Sequence, residues 1–389
     1  MSSFIDWDNS GKSSIFAVST DVMSYSDFFS RYTYVAKCRY SENYKSICIM
    51  GKILTKDFIT DDKTNKVFIS SLIDTKTGDL DKEARANVKS CIMRFEKDCE
   101  LLYNTKDVWA RDYMPIQLTK NTYLGYTYKP DYLTKSPEYA KCVTNWKLHN
   151  VHAEKYDFNG FKVVQIPLIL DGGNVVKAIL DDKPCMIMCD KVLLENNIDK
   201  NNKTELENFH KWWKEWWEEN FDGTEMKLVL LPWEGSKVDP IGHADGMIRY
   251  IDENKVLITN YKDYKDYNEE HYNEMMKVLG PKPKGSGFNV ISLHFSDLEQ
   301  FKNNKLFSVL LDRTWCYINY LQVGTRILVP RLGYDLLDNE ALKQIREAFS
   351  ANEDEIELIS QDMTSIVEDM NDEKNSGGAL NCLTWTIQS

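Results

Sequence analysis

The chain has 389 residues, a formal net charge of −12, 42% apolar and 28% charged residues. That is ordinary for a soluble globular protein with a sizeable core, and the acidic balance argues against nucleic acid as its main partner, because phosphates need a basic surface. With 12% aromatic residues, 10 of them Trp, extended disorder is not expected.

Met1 to Thr20 lacks a basic start followed by an apolar core, and no apolar run reaches membrane-spanning length. Nine cysteines are spread without C-x-x-C spacing. The expectation is a cytoplasmic protein with free thiols, no disulfide frame, no zinc site and no membrane partner.

Residues 1–45 carry no readable pattern. Ser46-Ile47-Cys48-Ile49-Met50 is a candidate buried strand. From Asp79 to Asp98, Leu80, Ala84, Val88, Ile92 and Phe95 recur at helical steps. Leu101-Leu102-Tyr103 leads into Trp109-Ala110-Arg111-Asp112. Strands are expected at Val163–Leu170 and Cys185–Cys189. Lys203 to Asn220 reads as a helix, and its Phe209, Trp212, Trp213, Trp216 and Trp217 form a packing stripe. Strands follow at Met226–Leu231 and Val256–Thr259, then a helix over Asp266–Leu279 stopped by Gly280-Pro281. Strands at Asn289–Leu293 and Thr325–Val329, a helix at Asn339–Ser350, a strand at Glu355–Ile359 and a strand around Cys382 complete the order. Strands and helices alternate to the end with no low-complexity linker. The fold class is therefore α/β or α+β, in one folding unit over residues 1–389.

Four segments carry chemistry: Trp109-Ala110-Arg111-Asp112, Asp171-Gly172-Gly173-Asn174, Gly242-His243-Ala244-Asp245 and Gly377-Gly378-Ala379-Leu380-Asn381-Cys382. Each has a plain structural reading. Arg111 and Asp112 suit an ion pair at a strand end, Asp171 a glycine turn, Cys382 a core position. His243 and Asp245 face the same side of an extended backbone, and His-x-Asp is also half of a metal site. His149, His152, His210, His271 and His294 form no strong ligand pattern. Combined, the segments supply a thiol, an imidazole and three carboxylates. Carboxylates match the planar fork of a guanidinium. A thiolate is the attacking form of Cys, favoured by a nearby cation, and His243 is suited to protonate a leaving nitrogen and then activate water.

In this order, Trp-x-Arg-Asp-x-x-Pro, Asp-Gly-Gly-Asn, Gly-His-x-Asp and Gly-Gly-x-x-x-Cys resemble the agmatine deiminase and bacterial-type peptidylarginine deiminase family, from about residue 100 to the end. The resemblance implies a pentein, an α/β-propeller of five ββαβ-like units around a pseudo-fivefold axis with the site in its central channel. It implies hydrolysis of a guanidine to a ureido group and ammonia, without metal or organic cofactor. Cys382 would be the nucleophile, through an S-alkylthiouronium intermediate, and His243 the acid/base. Asp171 and Asp245 would grip the guanidinium. Asp112, Asn174, Gly377 and Gly378 would line the pocket, Trp109 would pack on the substrate's methylenes and Asn319 would be a further lining residue. The implied partner is a small cationic guanidino compound, with a homo-oligomer left open.

Two positions depart from the agmatine pattern: Asn381 stands where His usually precedes the cysteine, and Asp171 where Glu usually precedes the glycine pair. No arginine lies between Arg111 and Arg249, where the peptidylarginine deiminases place a clamp for the substrate carboxylate. That favours agmatine over arginine. The alternatives on the same scaffold are a peptidyl- or free-arginine deiminase and an amidinotransferase. Outside catalysis, a guanidino- or protein-binding pentein remains, and on different chemistry a metal hydrolase using His243 and Asp245.

Overall fold

A computed structural model describes residues 51–74, 82–131, 143–144, 162–235, 241–259, 268–282, 286–295, 311–351, 355–367 and 378–389. The strand expected at Ser46–Met50, His149, His152 and Gly377 lie outside these residues.

Among the described residues the sheets are five, each of three strands, and all share one connectivity. The first strand pairs antiparallel with the second, and the second pairs parallel with the third. In one unit β3 (Ile116–Thr119) and β4 (Thr122–Thr127) form the hairpin and β5 (Lys162–Ile169) lies parallel to β4. In the next, β6 (Val176–Leu180), β7 (Lys183–Cys189) and β8 (Lys227–Leu231) repeat the pattern. So do β9 (Ile248–Tyr250), β10 (Lys255–Ile258) and β11 (Asn289–Ser292), and β12 (Leu321–Val323), β13 (Arg326–Val329) and β14 (Ile356–Leu358). The last unit joins the two ends of the chain. β15 (Thr384–Ile387) pairs antiparallel with β1 (Lys66–Ser70), which runs parallel to β2 (Glu100–Leu102).

A parallel pair needs a long crossover, and helices supply it. α1 (Lys82–Phe95) links β1 to β2. Between β7 and β8 lie the short α3 (Lys191–Glu195) and the long α4 (Lys203–Asn220). The crossover from β10 to β11 carries α5 (Glu269–Leu279), and that from β13 to β14 carries α6 (Asp335–Phe349). α4 matches its expected bounds. Asn202 caps it by accepting from the backbone N–H of Thr204 and Glu205, and donates to the Glu205 side chain at 2.9 Å, a reciprocal cap. All five aromatics of its stripe are buried. Trp217 packs edge-on to Trp216 at 5.0 Å and stacks on Phe221 at 4.9 Å. The stripe is core, as its spacing predicts.

The ends of several elements differ from expectation. α5 starts at Glu269 behind an Asn268 cap, and α6 starts a turn early, at Asp335. Cys382 is not on a strand. It lies in the short helix α8 (Leu380–Leu383), closed by the Leu383 N–H bonding the Ala379 carbonyl, and the strand starts at Thr384. Asp112 likewise sits in a helical turn, α2 (Ala110–Tyr113), and not at a strand end. A further short helix, α7 (Thr364–Val367), precedes the undescribed approach to α8.

The placement of these turns sets up the site. Each hairpin's first strand is preceded by a short turn: α2 before β3, the 3-10 turn Gly172–Asn174 before β6, Ala244–Gly246 before β9, Thr314–Tyr317 before β12 and α8 before β15. α8 packs on α2, α2 on the 172–174 turn, and that turn on 244–246. Equivalent points of five units thus converge.

Candidate active site

Every candidate catalytic residue lies on or beside one of these five turns. Asp112 comes from α2, Asp171 caps the 172–174 turn, His243 caps the 244–246 turn and Asp245 lies within it. Asn319 follows the 314–317 turn and Cys382 lies in α8. All six are buried.

His243 is held between two carboxylates. Its Nε2 is 3.0 Å from Asp171 Oδ2 and its Nδ1 is 3.6 Å from Asp112 Oδ1. Gly173 makes this approach feasible: a Cβ there would stand 2.6 Å from both Asp112 Oδ1 and His243 Nδ1. Burial disfavours the imidazolium, but Asp112 and Asp171 outweigh it and hold His243 up at about 9. Burial pushes Asp112 the same way, to about 8, with His243 opposing and Asp171 and Asp245 adding to the rise. The two carboxylates thus favour the protonated imidazole. The Tyr126 hydroxyl donates to the Asp112 and Met114 carbonyls, at 2.6 and 2.9 Å, and fixes the end of α2.

Two acceptors at this site are left open. Asp112 Oδ1 and Asp171 Oδ1 are buried and make no hydrogen bond. A buried carboxylate oxygen without a hydrogen bond costs a few kcal/mol, so a site that keeps two, one of them with only His243 Nδ1 at 3.6 Å, invites a donor. A guanidinium, with five N–H groups in one plane, fits that demand.

Cys382 sits across from Asp245, its Sγ 3.6 Å from Asp245 Oδ2. Asn319 ties the two together. Its Oδ1 accepts from the Cys382 backbone N–H at 3.3 Å and its Nδ2 donates to the Asp245 carbonyl at 3.4 Å. Burial pushes the thiol well above its ordinary range, and the Asp245 and Asp112 carboxylates add to that. These surroundings favour the thiol, and a cation beside it would reverse the balance. Trp109 lies against Gly378: a Cβ on that glycine would stand 2.5 Å from Trp109 Cζ3 and 3.0 Å from Cys382 Cβ.

Three expectations change. Arg111 does not pair with Asp112; consecutive residues of a helical turn point apart. Its guanidinium instead reaches Asn381 and Thr386. His243 and Asp245 do share a pocket, yet His243 bonds Asp171 while Asp245 meets Asn381 and Cys382, because the backbone turns at Ala244. Asn174, expected at the substrate, is used by backbone. Its Oδ1 accepts from Cys189 N–H at 2.7 Å and Ala244 N–H at 3.3 Å, and its Nδ2 donates to the Cys189 carbonyl at 3.2 Å. It fixes the turn that presents His243.

A second layer went unread in the sequence. Lys191 and Glu195 of α3 are both buried, 3.4 Å apart, and Lys191 Nζ also bonds Asp131 and the Ile241 carbonyl, each at 2.7 Å. Burial, with Asp171 adding, pushes Glu195 up to about 8. The Lys-x-x-x-Glu spacing was the signal, and it also describes most solvent-facing helix pairs.

A sequence model of the Porphyromonas-type peptidyl-arginine deiminase family matches residues 66–387, from the start of β1 to the end of β15. A Legionella pneumophila protein with the provisional name agmatine deiminase is 23% identical over 222 residues, which is 56% of this chain and 55% of that protein. The match thus spans about half the length of that curated relative. The solved C. jejuni agmatine deiminase superposes with a TM-score of 0.54 at 16% identity, over 85% of this chain and 96% of the other. A Porphyromonas gingivalis structure provisionally named an arginine deiminase gives 0.55 at 18%, over 85% and 97%. At such identities the likeness establishes the fold, which is the pentein. The family match runs through all five units of the ring, and the chain belongs to the Porphyromonas-type peptidyl-arginine deiminase family.

Proposed function

We propose that the protein is an agmatine deiminase-like hydrolase that converts a guanidino group to a ureido group and ammonia through a covalent adduct on Cys382. The observation that carries this reading is the pair of buried, unbonded oxygens on Asp112 and Asp171, set around a protonated His243 and opposite the Cys382–Asp245 contact. A guanidinium held by Asp112, Asp171 and Asp245 brings a positive charge beside the sulfur. That charge lowers the thiol's hold on its proton, which leaves to solvent. The thiolate adds to the guanidine carbon, forming a C–S bond. His243 gives its proton to one amino group, the C–N bond breaks and ammonia departs. Neutral His243 then takes a proton from water as the hydroxide adds to the thiouronium carbon. The C–S bond breaks, the carbon-bound hydroxyl loses its proton to solvent, the ureido product forms and the thiolate returns.

Among the described residues, the charge pattern favours a substrate tail without a carboxylate. Arg249 is committed to Asp61 at 2.7 Å and to the Tyr320 carbonyl at 3.1 Å. Lys191, whose stem lies against Gly242, is committed to Asp131 and Glu195. Agmatine meets these conditions better than arginine. A cytoplasmic setting agrees with the free thiols among the described residues.

The test is ammonia release from agmatine, free arginine and an arginine-terminated peptide, with Cys382→Ala as control. Release from agmatine, abolished in the variant, is expected. Release from arginine alone would move the substrate and keep the chemistry. Turnover in Cys382→Ala would sink the covalent mechanism. Ureido product replaced by amidine transfer to an added amine would make the enzyme a transferase.

A further inference from the structure

We infer that Arg111 and Asn381 are positioning residues that fix Asp245 in the orientation in which one carboxylate oxygen faces both the Asn381 amide and the Cys382 sulfur. This rests on the reading of Cys382 as the nucleophile. A guanidinium only donates, so the Arg111 Nη2 contact, 3.0 Å long, identifies its Asn381 partner as Oδ1. The Arg111 Nε–H also reaches the Asn381 carbonyl at 3.4 Å. The fork therefore holds side chain and backbone of one residue together. With Oδ1 committed, Nδ2 faces the other way and donates to Asp245 Oδ2 at 2.6 Å. That same oxygen is the one 3.6 Å from Cys382 Sγ. A cation, an amide, a carboxylate and the thiol thus follow one another in a line.

The line has a chemical use. Asp245 faces the thiol, and His243 and Asp112 sense its charge. Arg111 is itself close enough to act on Asp61 and Lys177. Without a donor on Oδ2, the buried carboxylate would turn towards the nearest N–H or take a proton. Either change spoils its alignment with a guanidinium at the sulfur. Residue 381 adjoins the nucleophile, and its side chain meets the sulfur through their shared partner Asp245 Oδ2, which is why its effect runs through Asp245.

Two near-isosteric substitutions separate this role from simple packing. Asn381→Leu removes the donor at every pH. Asn381→Asp keeps the shape but sets a second carboxylate against Asp245, and two such groups share a proton until rising pH removes it. Two readouts are taken on the full chain: kcat/KM for ammonia release, and the rate of Cys382 alkylation by iodoacetamide against pH. The second needs no turnover, so failure of the substrate assignment and failure of this inference are distinguishable. Asn381→Leu is expected to lose about ten- to a hundredfold in kcat/KM at all pH values, with no upward move of its alkylation curve. Asn381→Asp is expected to move the alkylation curve to higher pH, because added negative charge disfavours the thiolate, and to lose kcat/KM progressively as pH rises. Should either protein fail to fold, Arg111→Lys carries the test: the charge stays, the fork goes, and kcat/KM falls at unchanged thermal midpoint. Wild-type kcat/KM and a wild-type alkylation curve in the folded variants would overturn the inference.

Discussion

Replacing Asp171 with Asn removes the negative charge on one side of His243, keeps an oxygen able to accept from its Nε2–H, and leaves the size of the side chain unchanged. His243 moves from an ordinary 6.5 to about 9 in the folded protein, which corresponds to ~3 kcal/mol favouring the imidazolium. Burial works against that shift, and Asp112 and Asp171 produce it. Taking one of them away should bring the midpoint down by about one to two units. The linkage sign follows from the direction. His243 binds its proton more tightly folded than unfolded, so its stabilisation is complete below about 6.5 and fades as pH rises to about 9. Asp171→Asn should therefore lose more stability at pH 6 than at pH 9.5. The direct measurement is the His243 imidazole titration by NMR, practical in a chain of 6 histidines, with His243→Gln to assign the signal. Activity offers a second reading: the alkaline fall in kcat should move from about 9 towards neutrality. A midpoint that stays near 9 in Asp171→Asn would refute the assignment of the shift to this contact.

Gly173→Ala should separate the Asp112–His243 pair, because the new methyl would stand 2.6 Å from both. The His243 titration should fall in this variant too, and an unchanged midpoint would show that the turn yields without parting them. Trp217→Ala should cost ~3–5 kcal/mol of unfolding free energy by opening a cavity under α4, as Trp217 is fully buried against Trp216 and Phe221. Urea unfolding measures it, and a loss under ~1 kcal/mol would mean that the stripe repacks.

Some of this was legible in the residues and some was not, for reasons that differ by element. α4 was readable because its aromatics repeat at three and four and an Asn caps it. β7, β8, β10 and β13 were readable as short apolar runs, since strands buried on both faces need no polar alternation. β3, β6, β9 and β12 went unread. Each carries a buried polar residue at its second position, Gln117, Lys177, Arg249 and Gln322 respectively. Gln117, Lys177 and Arg249 bond neighbouring units, while Gln322 donates within its own hairpin to the Gly324 carbonyl. Lys177 donates to the Gln117 carbonyl and Arg249 to the Tyr320 carbonyl. Local pattern cannot report partners that far along the chain. Cys382 was misplaced onto a strand for a similar reason. Its apolar and β-branched neighbours suit a strand, and only packing against α2 makes the segment turn. The order of the four motifs was the sequence's clearest message, because five equivalent turns meet at one place.

The polar centre also explains how the site tolerates its own charges. Beneath the turns that carry Asp112, Asp171 and Asp245 lie Lys177 and Arg249, at the second positions of β6 and β9, with Arg111 reaching in from α2. Asp61 enters this layer from the segment before β1. Burial would raise its pKa, but Arg249, with Arg111 and Lys177, holds it below its usual value. Lys177 is pushed down to about 8 by burial, Asp61 opposing and Arg111 adding to the fall. Arg111, Lys177 and Arg249 thus lie about Asp61, with Asp62 and Lys63 also acting on Lys177, while Asp112, Asp171, Asp245 and His243 face each other at the turns. Carboxylates buried together are costly unless cations lie nearby. Cations bonded directly to Asp112 and Asp171 would use up the oxygens that a guanidinium needs. Arg111, Lys177 and Arg249 instead bond Asn381, the Gln117 carbonyl and Asp61, and leave those two oxygens open. In the proposed reaction those are the oxygens that a guanidinium would meet.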